Sequence, residues 1–353
     1  MDRIVECVPN FSEGRDSAVW DAIGEAVSAV PGVLLLDVDP DASYNRVVVT
    51  FAGEPDAVVE AAYRATIVAT ERIDMRKHRG EHPRFGALDV CPFVPVRGVS
   101  MADCAEMARS YGRRVGQELG LPVYLYGGAA SRPERRNLAT VRAGQYEGLP
   151  EKLADPQWEP DFGPAKFVPT FGAVAAGARF FLVAYNVDLA TEDVNVTQEI
   201  AEAVRQMGGK MKDESGKVVM RNGKPVRRKG KLRMVRAMGV PVTAPGRPPF
   251  CQVSINLTNY LITPPHVAFE EVRFEANKRG IEVTGSEVVG LLPVEPLLLA
   301  AEYHLFEENC RRPKMTEADL VDAACEYLGL SDYNPFDPDA KIIERRIAAA
   351  GWA

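Results

Sequence analysis

GVLLLDVDPDASYNRVVVTFAG, from Gly32 to Gly53, is the stretch that decides the fold. Gly32 to Asp39 and Asn45 to Gly53 are rich in β-branched and aliphatic residues, and the polar turn between them makes them adjacent strands. Upstream, Ile4 to Val8 reads as a strand and Ser17 to Val30 has helical apolar spacing. Downstream, Pro55 to Ile73 is an alanine-rich helix and Val90 to Val96 a further strand. The order is βαββαβ, the split pattern of a ferredoxin-like unit.

The order recurs. After a helix over Ala102 to Leu119, a strand at Val123 to Tyr126 and a long Pro/Gly/Arg-rich stretch from Gly127 to Gly177, the strand Phe180 to Val187 opens a second series. A helix (Thr191 to Met207), two strands (Leu232 to Val242, Phe250 to Asn259), a helix (Pro265 to Arg279) and a strand (Ile281 to Thr284) complete it. The expected fold is α+β, a duplicated ferredoxin-like (βαββαβ) pair with extra helices at Glu295 to Glu308 and Glu317 to Leu328. The expected divisions are 1–178, 179–330 and a tail at 331–353. A loop as long as 127–177 inside a compact chain is usually functional.

Composition bounds the function. The chain has 353 residues and 46% hydrophobic content, enough for a large core in roughly two domains. Net charge is −7, which gives no global nucleic-acid footprint. No apolar run approaches the ~20 residues of a membrane span, and MDRIVECVPNF lacks the apolar stretch of a signal peptide. Six dispersed cysteines read as reduced thiols of a cytoplasmic protein. One segment is odd: Gly208 to Arg233 holds ten Lys/Arg against Asp213 and Glu214. Its glycines and lack of aromatics suit a solvated hairpin insertion; an anion-attracting arm for RNA or a polyglutamate tail is the other reading.

The candidate chemistry lies in DMRKHRGEHPRFGALD, Asp74 to Asp89, which carries two of the four histidines, His78 and His82. Gly80 and Pro83 break any helix, so both sit on a loop ringed by charge. A histidine in such a place is a candidate general base, because its free pKa lies near neutrality. The residues alone also fit a structured His-Pro turn, and His78 as a solvated partner of Asp74. No third ligand accompanies the pair, so no metal site is expected.

GEHPRFGALDVCPFVPVRGVSM resembles the signature of the glutamate formimidoyltransferase family, folate enzymes of histidine degradation. VECVPNFSEGR, YLYGGAASRPERRNLATVRAGQYEGLPEKL, PDFGPAKFVPTFGAVAAGAR, QVSINLTNY and GSEVVGLLP resemble the same family, in its order, along nearly the whole chain. The resemblance is to the stand-alone form without a cyclodeaminase domain. It implies the duplicated ferredoxin-like fold, a site between the halves and a homodimer. It implies formimidoyl transfer between 5-formimidoyltetrahydrofolate and L-glutamate, with His82 as general base and tetrahydrofolate as carrier. Folate binding is carried over to Gly163, Pro164, Ala165, Lys166, Phe167, Val168, Pro169, Thr170, Phe171 and Gly172, with Phe167 or Phe171 stacking on the pterin or benzoyl ring. Within that reading, Asp39 is the leading carboxylate to orient His82. Arg84 and Lys166 are the nearest cations for substrate carboxylates, with Arg84 taking the role of carboxylate binder. Asn10, Ser12 and Glu13 are lesser site members. Glutamate formyltransfer from 5-formyltetrahydrofolate, and a non-catalytic folate- or RNA-binding protein, are the alternatives.

Overall fold

The computed structural model describes residues 3–80, 84–211, 213, 215–243, 247–307, 315–332 and 335–351. The chain divides into two compact units, Met1–Phe180 with Ala350–Ala353, and Phe181–Ala349. Both mix helices with a mainly antiparallel sheet.

Unit 1 contains β1 (Ile4–Cys7), β2 (Asn10–Phe11), α1 (Ser17–Ser28), β3 (Val33–Asp41), β4 (Arg46–Gly53), α2 (Pro55–Arg72) and β5 (Leu88–Arg97). Then come α3 (Met101–Glu118), β6 (Val123–Gly127), α4 (Leu138–Val141), α5 (Leu149–Ala154) and β7 (Val174–Ala178). β4 pairs antiparallel with β3 on one side and with β1 and β2 on the other, and β1 and β2 also pair with β5. β7 then lies parallel between β5 and β6.

Local chemistry sets the helix ends. The Asp16 side chain accepts from the Ala18 N–H at 3.0 Å, and Ser100 with Asp103 forms a capping box on α3. Pro55 opens α2, where the missing N–H costs nothing. The buried faces of α1, α2 and α3 cover one sheet face with Ile23, Val27, Val58, Ala65, Tyr111 and Val115. Alternation in β6 separates two cores: Val123 and Leu125 face those helices, while Tyr124 and Tyr126 join Phe85, Val141, Leu149 and Leu153.

That second core corrects the reading of 127–177 as loop. The segment holds α4, α5, two 3₁₀ turns and β7. β7 has the sequence VAAGA, buried at every position. It shows neither alternation nor β-branched enrichment, so no sequence signal marked it. Arg135 pins the segment: it is 1% exposed and bonds Asp161 at 2.7 Å and the Glu159 carbonyl at 2.7 Å, with Tyr124 and Trp158 beside its guanidinium.

Unit 2 contains β8 (Val183–Leu189), α6 (Val194–Val204), β9 (Met220–Arg221), β10 (Lys224–Pro225), β11 (Val235–Val242), β12 (Phe250–Leu257), α7 (Pro265–Asn277) and β13 (Val283–Val289). α8 (Glu295–Glu307), α9 (Glu317–Leu328), α10 (Pro338–Lys341) and α11 (Ile343–Ala349) follow. Its antiparallel sheet runs β11-β12-β8-β13. The strand expected at Phe180 starts at Val183, and the one expected at 281–284 continues to Val289. The stretch 331–353, expected as a tail, contributes α10 and α11, with Ile342 and Ile343 fully buried. The basic insertion contains the β9–β10 hairpin, turned by Asn222 and Gly223 at φ 51° and 71°. Its strand residues are exposed.

Candidate active site

The loops at one end of the unit 1 sheet carry the candidate chemistry. Asn45 organises the first of them. It sits in the β3–β4 turn at φ 49°, a conformation asparagine tolerates well. Its Oδ1 accepts from the Gly14 N–H at 2.9 Å and its Nδ2 donates to the Arg79 carbonyl at 2.9 Å. Its own carbonyl oxygen lies 2.7 Å from His78 Nε2. A Cβ on Gly80 would fall 2.3 Å from the Tyr44 carbonyl oxygen, so only glycine lets the chain pass there. The segment entering 81–83 is thus fastened to the turn that ends β3.

The segment leaving 81–83 is fastened as firmly. Ser12 Oγ donates to the Gly86 carbonyl at 2.8 Å, and Ala87 N–H donates to the Phe171 carbonyl at 2.7 Å. Asp89 Oδ1 accepts from the Phe85 N–H at 2.8 Å, and Arg142 Nη2 lies 2.6 Å from Asp89 Oδ2. Asp89 is 1% exposed, and burial pushes its carboxyl up to about 6 against the pull of Arg142. His82 itself, with Glu81 and Pro83, lies outside the described residues.

His78 departs from its expected place as a solvated partner of Asp74. The residue is 6% exposed, and Asp74 instead pairs with Arg76 at 2.8 Å. With Nε2 donating to Asn45, Nδ1 is left as a buried acceptor without a donor. Burial holds this imidazole below its usual pKa; Arg84 and Arg15 push the same way, Glu13 and the Asn45 bond oppose. Asp39 is exposed near the end of β3, opposite Val48.

The stretch Gly163 to Gly172 is an irregular segment in which Pro164, Ala165, Lys166, Pro169 and Thr170 are exposed, while Phe167 and Val168 are half-buried. Thr170 O accepts from Met75 N–H at 2.9 Å, which joins this segment to the histidine loop. Phe171 is 1% exposed inside the main core, so it is not free to stack on a ligand. Phe167 is half-buried against the Tyr146 ring, with centroids 5.4 Å apart. The glycines serve the protein's own packing: a Cβ on Gly163 would meet the Leu121 carbonyl oxygen at 2.0 Å, and one on Gly172 the Phe85 carbonyl oxygen at 2.5 Å. Arg84 is buried and bonds Glu147 at 2.6 Å, with Tyr146 beneath its guanidinium. Asn10 bonds the Val8 carbonyl at 3.1 Å, and Glu13 caps the following turn through the Arg15 and Asp16 N–H groups.

Sequence reasoning passed over Asn45, Tyr146 and Glu147. The Asn before a strand was a readable turn signal; the other two lie in a stretch with no periodicity. Among the described residues no group of three or more His, Cys, Asp or Glu could hold a metal ion.

Residues 4–179 match the family described as "Formiminotransferase domain, N-terminal subdomain", and 184–348 match "Formiminotransferase domain". The chain is 42% identical to the glutamate formimidoyltransferase of Streptococcus pyogenes serotype M1, over 88% of this chain and 95% of that one. The chain belongs to the formiminotransferase family. A second formiminotransferase relative, the glutamate formimidoyltransferase of Thermoplasma acidophilum, is 42% identical over 89% of this chain and 98% of its own. The formimidoyltransferase-cyclodeaminase of Dictyostelium discoideum is 46% identical, and the chain spans 60% of its length. No helix among the described residues is long and apolar enough to cross a membrane.

Proposed function

We propose that this chain transfers the formimidoyl group between 5-formimidoyltetrahydrofolate and L-glutamate, giving tetrahydrofolate and N-formimidoyl-L-glutamate, in histidine degradation. The observation that carries the reading is the 42% identity to two glutamate formimidoyltransferases over 95% and 98% of their lengths. The two units are read as a duplicated ferredoxin-like pair, supported by the antiparallel order common to both sheets. A cytoplasmic homodimer is the expected state.

The reaction needs a neutral amine as nucleophile, and an α-amino group is mostly protonated at pH 7. In this reading His82 takes the proton from the amine as it attacks the amidine carbon. It returns a proton to N5 as tetrahydrofolate leaves. The amidinium carbon is already electrophilic, so proton transfer by side chains suffices and no metal is called for. Asp39 is the carboxylate proposed to orient His82. The fastened backbone on both sides of 81–83 supports this assignment, because a general base must be held within hydrogen-bond reach of its proton. The loop Gly163 to Gly172 remains the proposed folate contact, through its exposed residues and Phe167 rather than Phe171. Lys166, exposed there, and Arg84 supply cations for anionic substrates.

The test is release of tetrahydrofolate with L-glutamate as acceptor, from the 5-formimidoyl and the 5-formyl donor in parallel. The expected result is faster release from the formimidoyl donor, with N-formimidoylglutamate as co-product. Release from the formyl donor alone, or from neither, overturns the proposal.

A further inference from the structure

Arg84 is proposed to take a substrate carboxylate, yet it already holds a carboxylate of the same chemical kind, supplied by the chain itself. Arg84 Nη2 donates to Glu147 Oε1 at 2.6 Å. The exposures of the two partners differ sharply. The Arg84 side chain is 10% exposed and that of Glu147 61%. The Arg135–Asp161 pair is buried on both sides, at 1% and 8%. The neighbouring donor of the guanidinium, Nε–H, is buried and meets no acceptor. Arg84 thus makes one bond to this carboxylate where a guanidinium can make two, and a buried donor left unmet is a standing cost.

The surroundings leave Glu147 free to withdraw while Arg84 stays in place. Tyr146 N–H donates to the Arg84 carbonyl at 2.9 Å, and the Tyr146 hydroxyl donates to the Pro169 carbonyl at 2.5 Å. The Tyr146 ring lies 5.6 Å from the Arg84 guanidinium. The platform under Arg84 is thus tied to the loop proposed to contact folate. Glu147 comes next in the chain, in a tight turn with Gly144 at φ 87° and Gln145 at φ 53°. Its side chain carries most of the pair's exposure to solvent.

We propose that Glu147 is a placeholder on Arg84 for a substrate glutamyl carboxylate, displaced when substrate binds through two guanidinium donors. The inference rests on the proposed function, since it takes the ligand to be glutamyl. That carboxylate is shared by two sources, the acceptor glutamate and the glutamate tail of the folate. Each substrate must then compete with an internal rival. Removing the rival should tighten binding by the small worth of a solvent-accessible ion pair, about two- to fivefold.

The test uses Glu147→Gln and Glu147→Ala in the full chain, with circular dichroism as the check on folding. Calorimetry with glutarate, a dicarboxylate probe that needs no turnover, should show about two- to fivefold tighter binding in both variants. The same tightening should appear in one substrate constant. A fall in KM for L-glutamate assigns the carboxylate to the acceptor; a fall in the 5-formyltetrahydrofolate dissociation constant assigns it to the folate tail. In an Arg84→Met background the Glu147 substitutions should change nothing. Unchanged glutarate and substrate constants in folded variants overturn the placeholder. Tighter glutarate binding in a chain that turns over no folate donor would sink the proposed function and leave the placeholder standing.

Discussion

The two units arrange their first four principal strands alike but differ in the polar clusters they bury. In each, the strand after the first helix lies at the sheet edge and the opening strand is interior: β3-β4-β1-β5 in unit 1 and β11-β12-β8-β13 in unit 2. In unit 1, buried His78, Arg84 and Arg135 stand on connecting segments, while Glu6, Thr50 and Asp89 are buried on β1, β4 and β5. In unit 2, Asp188, Gln252 and Ser286 are buried on strands, while Thr197, His266 and Glu275 are buried on helices. Gln252 on β12 faces Asp188 on β8 and donates to Asp188 at 2.8 Å and to Glu287 at 3.0 Å, while Asn186 also donates to Glu287 at 2.9 Å. One topology therefore carries two kinds of polar cluster: buried His78, Arg84 and Arg135 on connecting segments of unit 1, and a hydrogen-bonded set across β12, β8 and β13 in unit 2.

The contrast can be broken most severely at Arg135. Arg135→Ala removes the partner of Asp161 and the donors to the 157 and 159 carbonyls, leaving a buried carboxylate unpaired. The expected loss is on the order of 3–5 kcal/mol by chemical denaturation. A loss below about 1 kcal/mol would mean that loop charges in unit 1 carry little structural weight.

A smaller, opposite effect is expected in the hydrogen-bonded set of unit 2. Burial raises the Asp188 carboxyl to about 6, opposed by its bond from Gln252 and reinforced by Glu287. Unfolded, an aspartate titrates near ~3.9. The folded state thus holds the proton more tightly, and stability falls as pH rises from ~4 through about 6. Asp188→Asn should flatten that slope and gain at most about 3 kcal/mol at pH 8. An unchanged slope would remove Asp188 from the account.

The smallest effect is expected at the basic hairpin. Replacing Lys210 to Lys229 by a short Gly/Ser linker should leave turnover with monoglutamyl folate within a few fold, because the hairpin's strand residues are exposed. Loss of folding would contradict this.

The same contrast explains what the sequence revealed. Strands such as RVVVTFAG and helices such as α2 and α3 carry strong periodicity and were legible. β7 was not, because a small-residue strand buried on both faces has no alternation to read. In the site, Arg84 and the histidine loop announced themselves by charge and breakers. The burial of His78 did not, because it depends on Asn45, 33 residues away in the chain. Phe171 was misread for a related reason: an aromatic beside glycines looks available, and only packing shows that it belongs to the core.

The central proposal is that His82 serves as the base. The direct measurement is turnover of purified His82→Gln with the 5-formimidoyl donor and L-glutamate, beside folate affinity and circular dichroism of the same sample. The account predicts a folded protein, folate affinity within a few fold, and turnover lower by about 10²–10⁴-fold. Near-normal turnover in that variant would contradict it.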